Sequence, residues 1–175
     1  MATRKTKSGT ASGSGAASGD ADAAQPTIPK ATPATQALGE AGIPYALHSY
    51  GDERGVGCDP RRVFDTVIVE TERGLVAAVV PLGAEVDLDA IAFALGFRTA
   101  KATDAAAASA ATGYPPNNVA PLGLSEEVRV VVDTSMPRLP SVLIASGLPG
   151  LDVEVRSSNL INITGARAAP ITQRP

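Results

Sequence analysis

The sequence has 175 residues, enough for one domain and a tail but not for a second large domain, because domains usually comprise roughly 100–200 residues. Hydrophobic residues make up 44% of it and the mean hydropathy is +0.08, so a core can form. No run reaches the ~20 apolar residues of a membrane-spanning helix. Aromatic residues make up only 3%, with no Trp, which disfavours a groove that stacks single-stranded bases.

The folded part of the chain is predicted to be acidic. The formal net charge is −3, and four of the 15 basic but only two of the 18 acidic residues lie in residues 1–30, which leaves the rest of the chain at −5. General affinity for nucleic acid comes from the neutralisation of phosphates by cations. An acidic body therefore disfavours a long polyanion as partner unless its charges are segregated.

The chain contains one cysteine, Cys58, and one histidine, His48. One cysteine cannot form an internal disulfide, and the two residues supply too few soft ligands for a zinc site. The positive charges near the start are not followed by the run of about 7–15 hydrophobic residues that a secretory signal needs. We therefore expect a cytoplasmic protein with no metal, no cofactor and no membrane association.

Residues 1–30 are mostly small and polar, which predicts a disordered extension because they cannot bury enough surface to offset chain entropy. Residues 31–172 are predicted to form a single domain. Its helices are indicated by a capping residue ahead of apolar residues at helical spacing and by a terminating glycine. The predicted helices run from Thr32-Pro33 to Gly42, from Asp87 to Gly96 and from Asp104 to near Gly113.

Strands are indicated by short apolar, β-branched runs between turn residues. The predicted strands are 45–50, 63–70, 75–80, 128–133, 141–145 and 151–155, of which the second and third form a hairpin. They occur in clusters and do not alternate strictly with helices. We therefore predict an α/β (α+β) fold with a mixed, largely antiparallel sheet or partial barrel and flanking helices.

Cys58 and His48 offer one alternative chemistry, because thiolate catalysis needs a cysteine and a base within hydrogen-bond distance. Cys58 lies in a predicted loop without a cysteine-protease signature, and His48 alternates with Leu47 on a predicted strand. We interpret this histidine as a partly buried structural residue. The adjacent carboxylates at 52–53 and 126–127 diverge in regular structure and are interpreted as solvated charges.

Two loops carry residues that fit a binding site. In residues 112–123, Asn117 and Asn118 tolerate left-handed backbone angles, so that several backbone N–H groups can point at a ligand. Residues 146–152 form a tight turn with the hydroxyl of Ser146 at one end and the carboxylate of Asp152 at the other. Ordinary turn chemistry is the alternative for each loop taken alone.

Several short segments are informative as an ordered set, although none is specific by itself. They are Thr32-Pro33, His48-Ser49-Tyr50, Val63-Phe64-Asp65-Thr66, Asp87-Leu88, Ala94-Leu95-Gly96, Thr112-Gly113-Tyr114, Pro121-Leu122-Gly123, Ser146-Gly147 and Gly150-Leu151-Asp152. In this order they resemble the YbaK-type aminoacyl-tRNA deacylases, free-standing editing domains related to the insertion domain of bacterial prolyl-tRNA synthetase. The resemblance covers about residues 32–171.

The resemblance implies a mixed α/β domain that binds the aminoacylated 3′ end of a tRNA and hydrolytically removes a wrongly attached small amino acid. An aminoacyl-tRNA synthetase is a further partner that it implies. Family catalysis relies on backbone N–H groups and substrate hydroxyls, which fits a sequence without a triad because an oxyanion needs only positioned donors. The implied catalytic positions are Asp65, Asn117 and Asn118, and the implied substrate-binding positions are Tyr50, Thr66, Ala120, Pro121, Ser146, Gly147 and Asp152.

The sequence departs from the pattern that the resemblance implies. Asp65 stands where relatives carry a lysine that meets the terminal phosphate of the tRNA, and residues 117–118 are Asn-Asn where relatives carry Gly-Gly. The segment between Tyr50 and Arg61 is shorter than in relatives, which fit a further helix there. Exchanging a cation for an anion ~4 Å from a phosphate changes the interaction by roughly 2–8 kcal/mol. Arg61, Arg62, Arg98 and Lys101 are interpreted as surface charges, and a substitute cation among them is the alternative.

The sequence therefore supports two functions. The first is an editing-type aminoacyl-tRNA deacylase, as the resemblance implies. The second is a catalytically inactive relative that binds a small ligand or a protein, which the altered site positions and the acidic body favour. A cysteine-dependent hydrolase is a third alternative.

Overall fold

The computed structural model describes residues 31–51, 54–55 and 57–173. The predictions for residues 1–30 and for the carboxylates at 52–53 lie outside this range. The helices are α1 Pro33–Glu40, α2 Leu88–Leu95, α3 Ala105–Thr112 and α4 Ser157–Thr164. The strands are β1 Ala46–Ser49, β2 Phe64–Thr71, β3 Gly74–Pro81, β4 Ala100–Ala102, β5 Arg129–Asp133, β6 Ser141–Ala145, β7 Leu151–Arg156 and β8 Arg167–Ala169.

The strands form two open sheets. A three-stranded antiparallel sheet has the order β1-β7-β6, and a five-stranded sheet has the order β4-β2-β3-β5-β8. In the larger sheet β3 pairs with β5 and β5 with β8 in parallel, whereas β2 pairs antiparallel with β3 and β4. The prediction of a mixed, largely antiparallel α/β fold is confirmed, with two open sheets in place of a partial barrel.

The larger sheet is buried on both faces. Along β3, Ala77 and Val79 join one apolar cluster, while Val76 and Val80 join the other. Alternate residues of a strand point to opposite faces, so each face of β3 packs against its own core. The first cluster includes apolar residues of β6, β7, α1 and α4, and the second includes Ile91 and Ala92 of α2.

Helix ends follow the predicted capping chemistry. The backbone N–H of Thr35 donates to Thr32 Oγ1 at 3.3 Å, and the N–H of Thr32 donates back to Thr35 Oγ1 at 2.9 Å, which completes a capping box. Asp87 and Asp104 cap α2 and α3 through their side chains. These three predicted helices are therefore present at the predicted places.

Three elements were not predicted: α4, β4 and β8. The segment of α4 is rich in Ser, Asn and Thr, which are poor helix formers, and β4 and β8 have three residues each. Among the described residues no helix has the length and apolarity needed to cross a membrane.

Candidate functional site

Strand β7 places two carboxylates on one face. Val153 and Val155 belong to the core, whereas Asp152 and Glu154 alternate with them and point to the other face. The register pairs Asp152 with His48 of β1. This polar face of the three-stranded sheet therefore carries the ionisable side chains of His48, Asp152 and Glu154.

Arg54 links the two aspartates that the sequence singled out. Its Nε donates to Oδ1 and Oδ2 of Asp152 at 2.8 and 2.9 Å, its Nη1 donates to Asp65 Oδ1, and its Nη2 donates to the carbonyl of Phe64 at 2.9 Å. The side chains of Arg54 and Asp152 are only 13% and 3% exposed, whereas that of Asp65 is 38% exposed. Asp65 and Asp152 are therefore brought together through one guanidinium.

The carboxyl of Asp152 is under opposing electrostatic influences. Burial raises its pKa, the hydrogen bonds and charge of Arg54 lower it, and the charge of Asp65 raises it again, with a net rise above its ordinary value. Desolvation disfavours the charged form of a carboxyl. The arginine thus partly offsets the cost of burying this acid.

A second polar network lies next to the first on the same sheet face. His48 Nε2 is 2.7 Å from Glu154 Oε2, and Ser141 Oγ donates to Glu154 Oε1 at 2.7 Å. Arg62 donates to the same Glu154 oxygen and to the carbonyl of Ser141. The hydrogen bond from Ser141, followed by those from Arg62 and His48, lowers the pKa of Glu154 despite partial burial.

A small cavity opens beside these networks. Its volume is about 160 Å³, and the residues that line it are His48, Ser49, Tyr50, Gly55, Gly57, Cys58, Leu143 and Asp152. This volume is below the roughly 300–1,000 Å³ of sites for drug-sized ligands. The cavity therefore suits a ligand group of a few heavy atoms.

The loop that contains Asn117 and Asn118 forms hydrogen bonds within itself. Asn117 has φ of 61°, which is the left-handed conformation that the sequence allowed for it. The backbone N–H of Asn118 donates to Pro115 at 3.1 Å, and its side-chain amide donates to Pro116 at 3.4 Å. Neither asparagine is among the residues that line the cavity. Their proposed roles stay predictions.

The turn at Ser146 and Gly147 packs against the long loop through Tyr114. Gly147 has φ of +91°, and a Cβ at this position would lie 2.5 Å from the tyrosine ring. The hydroxyl of Tyr114 donates to the carbonyl of Leu122 at 2.6 Å, and the Oγ of Ser146 accepts from the N–H of Leu148 at 3.1 Å. The two predicted loops are therefore in contact.

The remaining predicted positions fall into different environments. Tyr50 lines the cavity and its N–H donates to Gly150 at 2.9 Å. Thr66 has a buried Oγ1 without a hydrogen-bond partner among the described residues. Ala120 and Pro121 are buried, and Ala120 belongs to the first apolar cluster. Only Tyr50 and Asp152 of the predicted set line the cavity.

Two interpretations from sequence need correction. His48 is predicted to be partly buried, but its side chain is 45% exposed, like the other residues of β1, all of which are exposed. Of the four residues considered as substitute cations, Arg61 pairs with Asp59 and Arg62 with Glu154. The cation beside Asp65 is Arg54, which lies in an irregular segment and was not among them.

The thiol of Cys58 forms a hydrogen bond with the backbone. Cys58 lines the same cavity as His48, but its Sγ donates to the carbonyl of Gly55 at 3.3 Å. Among the described residues no group of three His, Cys, Asp or Glu side chains is arranged to hold a metal ion.

Comparisons with known proteins agree on one family. Residues 51–163 match the family model of the aminoacyl-tRNA editing domain. The chain is 24% identical over 120 residues to a candidate Cys-tRNA(Pro)/Cys-tRNA(Cys) deacylase, EbsC, of Enterococcus faecalis, which covers 68% of this chain and 73% of that protein.

Solved structures show the same fold. A candidate trans-editing enzyme for prolyl-tRNA synthetase superposes with a TM-score of 0.73 at 18% identity, over 85% of this chain and 99% of that one. A scaffold protein from the computational grafting of epitope backbones superposes with a TM-score of 0.74 at 20% identity, over 85% of this chain and 100% of that one.

Proposed function

The chain belongs to the aminoacyl-tRNA editing domain family, and we propose from this that it hydrolyses the ester between a small, wrongly attached amino acid and the 3′ end of its tRNA. The observation that carries the proposal is the family match over residues 51–163. That range contains Arg54, Asp65 and Asp152, the three residues of the ionic cluster.

The size of the cavity supports a small aminoacyl group. A volume of about 160 Å³ with polar groups from Ser49 and Asp152 leaves room for a side chain such as that of cysteine, alanine or proline. The Enterococcus faecalis relative is named for cysteine on tRNA(Pro) or tRNA(Cys). Cysteine is therefore the first amino acid to test.

Main-chain donors are the proposed source of transition-state stabilisation. Ester hydrolysis places negative charge on the carbonyl oxygen, and backbone N–H groups stabilise it without proton transfer. The proposed donors are the N–H of Asn117, next to Asn118, and the N–H of Gly147, next to Ser146, because the N–H groups of Asn118 and Ser146 already donate to the carbonyls of Pro115 and Leu151. Asp65 is the proposed position closest to the terminal phosphate. Tyr50, Thr66, Ala120, Pro121 and Asp152 are the proposed substrate-binding residues.

The proposed partners are the aminoacylated 3′ end of a tRNA and, for delivery of mischarged tRNA, an aminoacyl-tRNA synthetase. Such a reaction belongs where translation takes place, so we propose a cytoplasmic location.

The test is hydrolysis of a panel of tRNAs carrying cysteine, alanine, proline and serine. The proposal expects at least one ester to be cleaved faster by the protein than by buffer alone. A bulky aminoacyl-tRNA, such as one carrying phenylalanine, serves as the control for the size of the cavity. Rates equal to the buffer rate for every member of the panel would defeat the proposal.

A non-catalytic binding module is the second candidate. It is favoured by the ionic cluster, in which one cation, Arg54, faces two carboxylates, an arrangement that attracts a phosphate poorly. A salt titration of tRNA binding separates the two functions, because phosphate contacts make affinity fall with salt concentration. A deacylase binds tRNA in a salt-dependent way, and the module does not need to bind it.

A further inference from the structure

His48 lies directly across the sheet from the buried acid of the ionic cluster. The register of β1 with β7 makes His48 and Asp152 Cα partners, and directly opposed residues of an antiparallel pair place their side chains on the same face. Both residues line the 160 Å³ cavity. The side chain of His48 therefore borders the cavity that we propose for the aminoacyl group.

The ring of His48 is held in one orientation. Its Nε2 is 2.7 Å from Glu154 Oε2, and an ionised carboxylate only accepts hydrogen bonds, so Nε2 carries the proton. In the neutral ring Nδ1 then has a free lone pair. Glu154 is itself held by Ser141 and Arg62, which keep it ionised by lowering its pKa.

Two other side chains at the cavity already have hydrogen-bond partners. The carboxylate of Asp152 receives two hydrogen bonds from Arg54, and the thiol of Cys58 donates to a backbone carbonyl. The side chain of His48 is 45% exposed, so water reaches it. The range that matches the family model begins at residue 51 and does not include this histidine.

We infer that His48 is a catalytic base of the proposed deacylation and that Glu154 is its positioning residue; this inference rests on the proposed function. His48 Nδ1 takes a proton from a water molecule as the water oxygen bonds to the ester carbonyl carbon. The tetrahedral intermediate then collapses, its bond to the ribose oxygen breaks, and the imidazolium returns the proton to that oxygen. The products are the free amino acid and a tRNA with its terminal hydroxyl restored.

Glu154 stabilises the imidazolium formed in the first step. A carboxylate in this position fixes the tautomer and stabilises the positive charge that the ring gains when it takes the proton, as in the Ser-His-Asp arrangement of hydrolases. A buried nucleophile is not required, because the attacking group is water. The arrangement differs from a cysteine-dependent hydrolase in that Cys58 forms no covalent intermediate.

The experiment compares single-turnover cleavage of the best panel substrate by the whole chain and its variants. We expect His48→Ala to lose about 10²–10⁴-fold in rate, with tRNA affinity unchanged and with partial recovery in added imidazole. Glu154→Gln is expected to lower the maximal single-turnover rate constant at least ~10-fold without raising the protein concentration that gives half of that rate. The matched control is Glu126→Gln, which removes an exposed carboxylate and is expected to leave the rate unchanged.

Three results would overturn the inference. The first is a His48→Ala rate within about threefold of the parent. The second is a rate loss matched by an equal loss of tRNA affinity, which would make His48 a binding group. The third is complete inactivation by Cys58→Ser with activity retained in His48→Ala. A parent protein that cleaves no substrate defeats the proposed function itself, so the two failures are distinguishable.

Discussion

Arg54 and Asp152 are 98 residues apart in sequence, yet the arginine Nε contacts both carboxylate oxygens of the aspartate, at 2.8 and 2.9 Å. The pair connects an irregular segment to strand β7 and is almost fully removed from solvent, with side chains 13% and 3% exposed. Because a buried charge without its partner is costly, this contact fixes the segment at the site.

Arg54→Met is expected to destabilise the protein by about 3 kcal/mol, since it leaves the buried carboxylate of Asp152 without its counter-ion. The measurement is the free energy of unfolding in urea. The double variant Arg54→Met/Asp152→Asn should recover part of the loss, because no charge is left at the buried position 152 and the Asp65 carboxylate that also loses its contact with Arg54 is 38% exposed. Additive losses in the double variant would show that the ion pair contributes nothing specific.

Asp65→Lys is expected to raise tRNA affinity, because it exchanges an anion for a cation beside a proposed phosphate position. One added phosphate contact should steepen the dependence of log affinity on log salt concentration by about 1. Asp65→Asn serves as the control, since it removes the negative charge and releases one Arg54 contact without adding a cation. Unchanged affinity in Asp65→Lys would mean that the tRNA end does not approach this position.

Gly147→Ala is expected to destabilise the fold by about 1–3 kcal/mol through overpacking. The new Cβ would lie 2.5 Å from Cε1 of Tyr114, at a backbone φ of +91°. Gly165→Ala is the matched control, because Gly165 also has positive φ but has no atom within 4 Å of a built Cβ. The thermal midpoints of both variants measure the difference; equal midpoints would contradict the packing of Gly147 on Tyr114.

Glu154→Gln is expected to change the acid stability of the protein. The pKa of Glu154 in the folded chain is below its ordinary value of 4.5, so its stabilising contribution is complete above that pH and is lost as pH falls through the folded-state pKa. The difference in unfolding free energy between parent and variant should therefore shrink on acidification below about pH 4.5. A difference that stays constant with pH would contradict the Ser141 and Arg62 contacts.

For Asp152→Asn, the difference in unfolding free energy between parent and variant should change with pH in the opposite direction. The pKa of Asp152 is raised above its ordinary value of 3.8, so the folded chain binds a proton more readily than the unfolded chain. The parent should gain stability relative to Asp152→Asn as pH falls through the folded-state pKa toward 3.8. Parallel pH profiles of the two proteins would contradict the burial of this carboxylate.

Local chemistry made much of the fold predictable from sequence. Thr32, Asp87 and Asp104 are capping residues, and each begins a helix as predicted. The β2–β3 hairpin follows from two β-branched runs around a short turn. By contrast β8, three residues long, exists because it pairs with β5, a tertiary contact that three residues cannot signal.

The site was harder to predict for the same reason. Asp65 and Asp152 were identified through the ordered segments, and the structure brings them together. Arg54 was missed because its partners are 11 and 98 residues away, and nothing in its neighbourhood marks it as buried. The exposure of His48 was misjudged because the pattern of residues along a strand does not show whether another element covers that strand, and all residues of β1 are exposed.

The most direct test of the central claim is single-turnover deacylation with the protein in excess over Cys-tRNA(Pro), followed by release of the free amino acid. If the chain is an editing domain with this site, the amino acid is released faster than by spontaneous hydrolysis of the ester. The acceleration extends to at least one other small aminoacyl group and not to phenylalanine. Release at the spontaneous rate from every small aminoacyl-tRNA would contradict it.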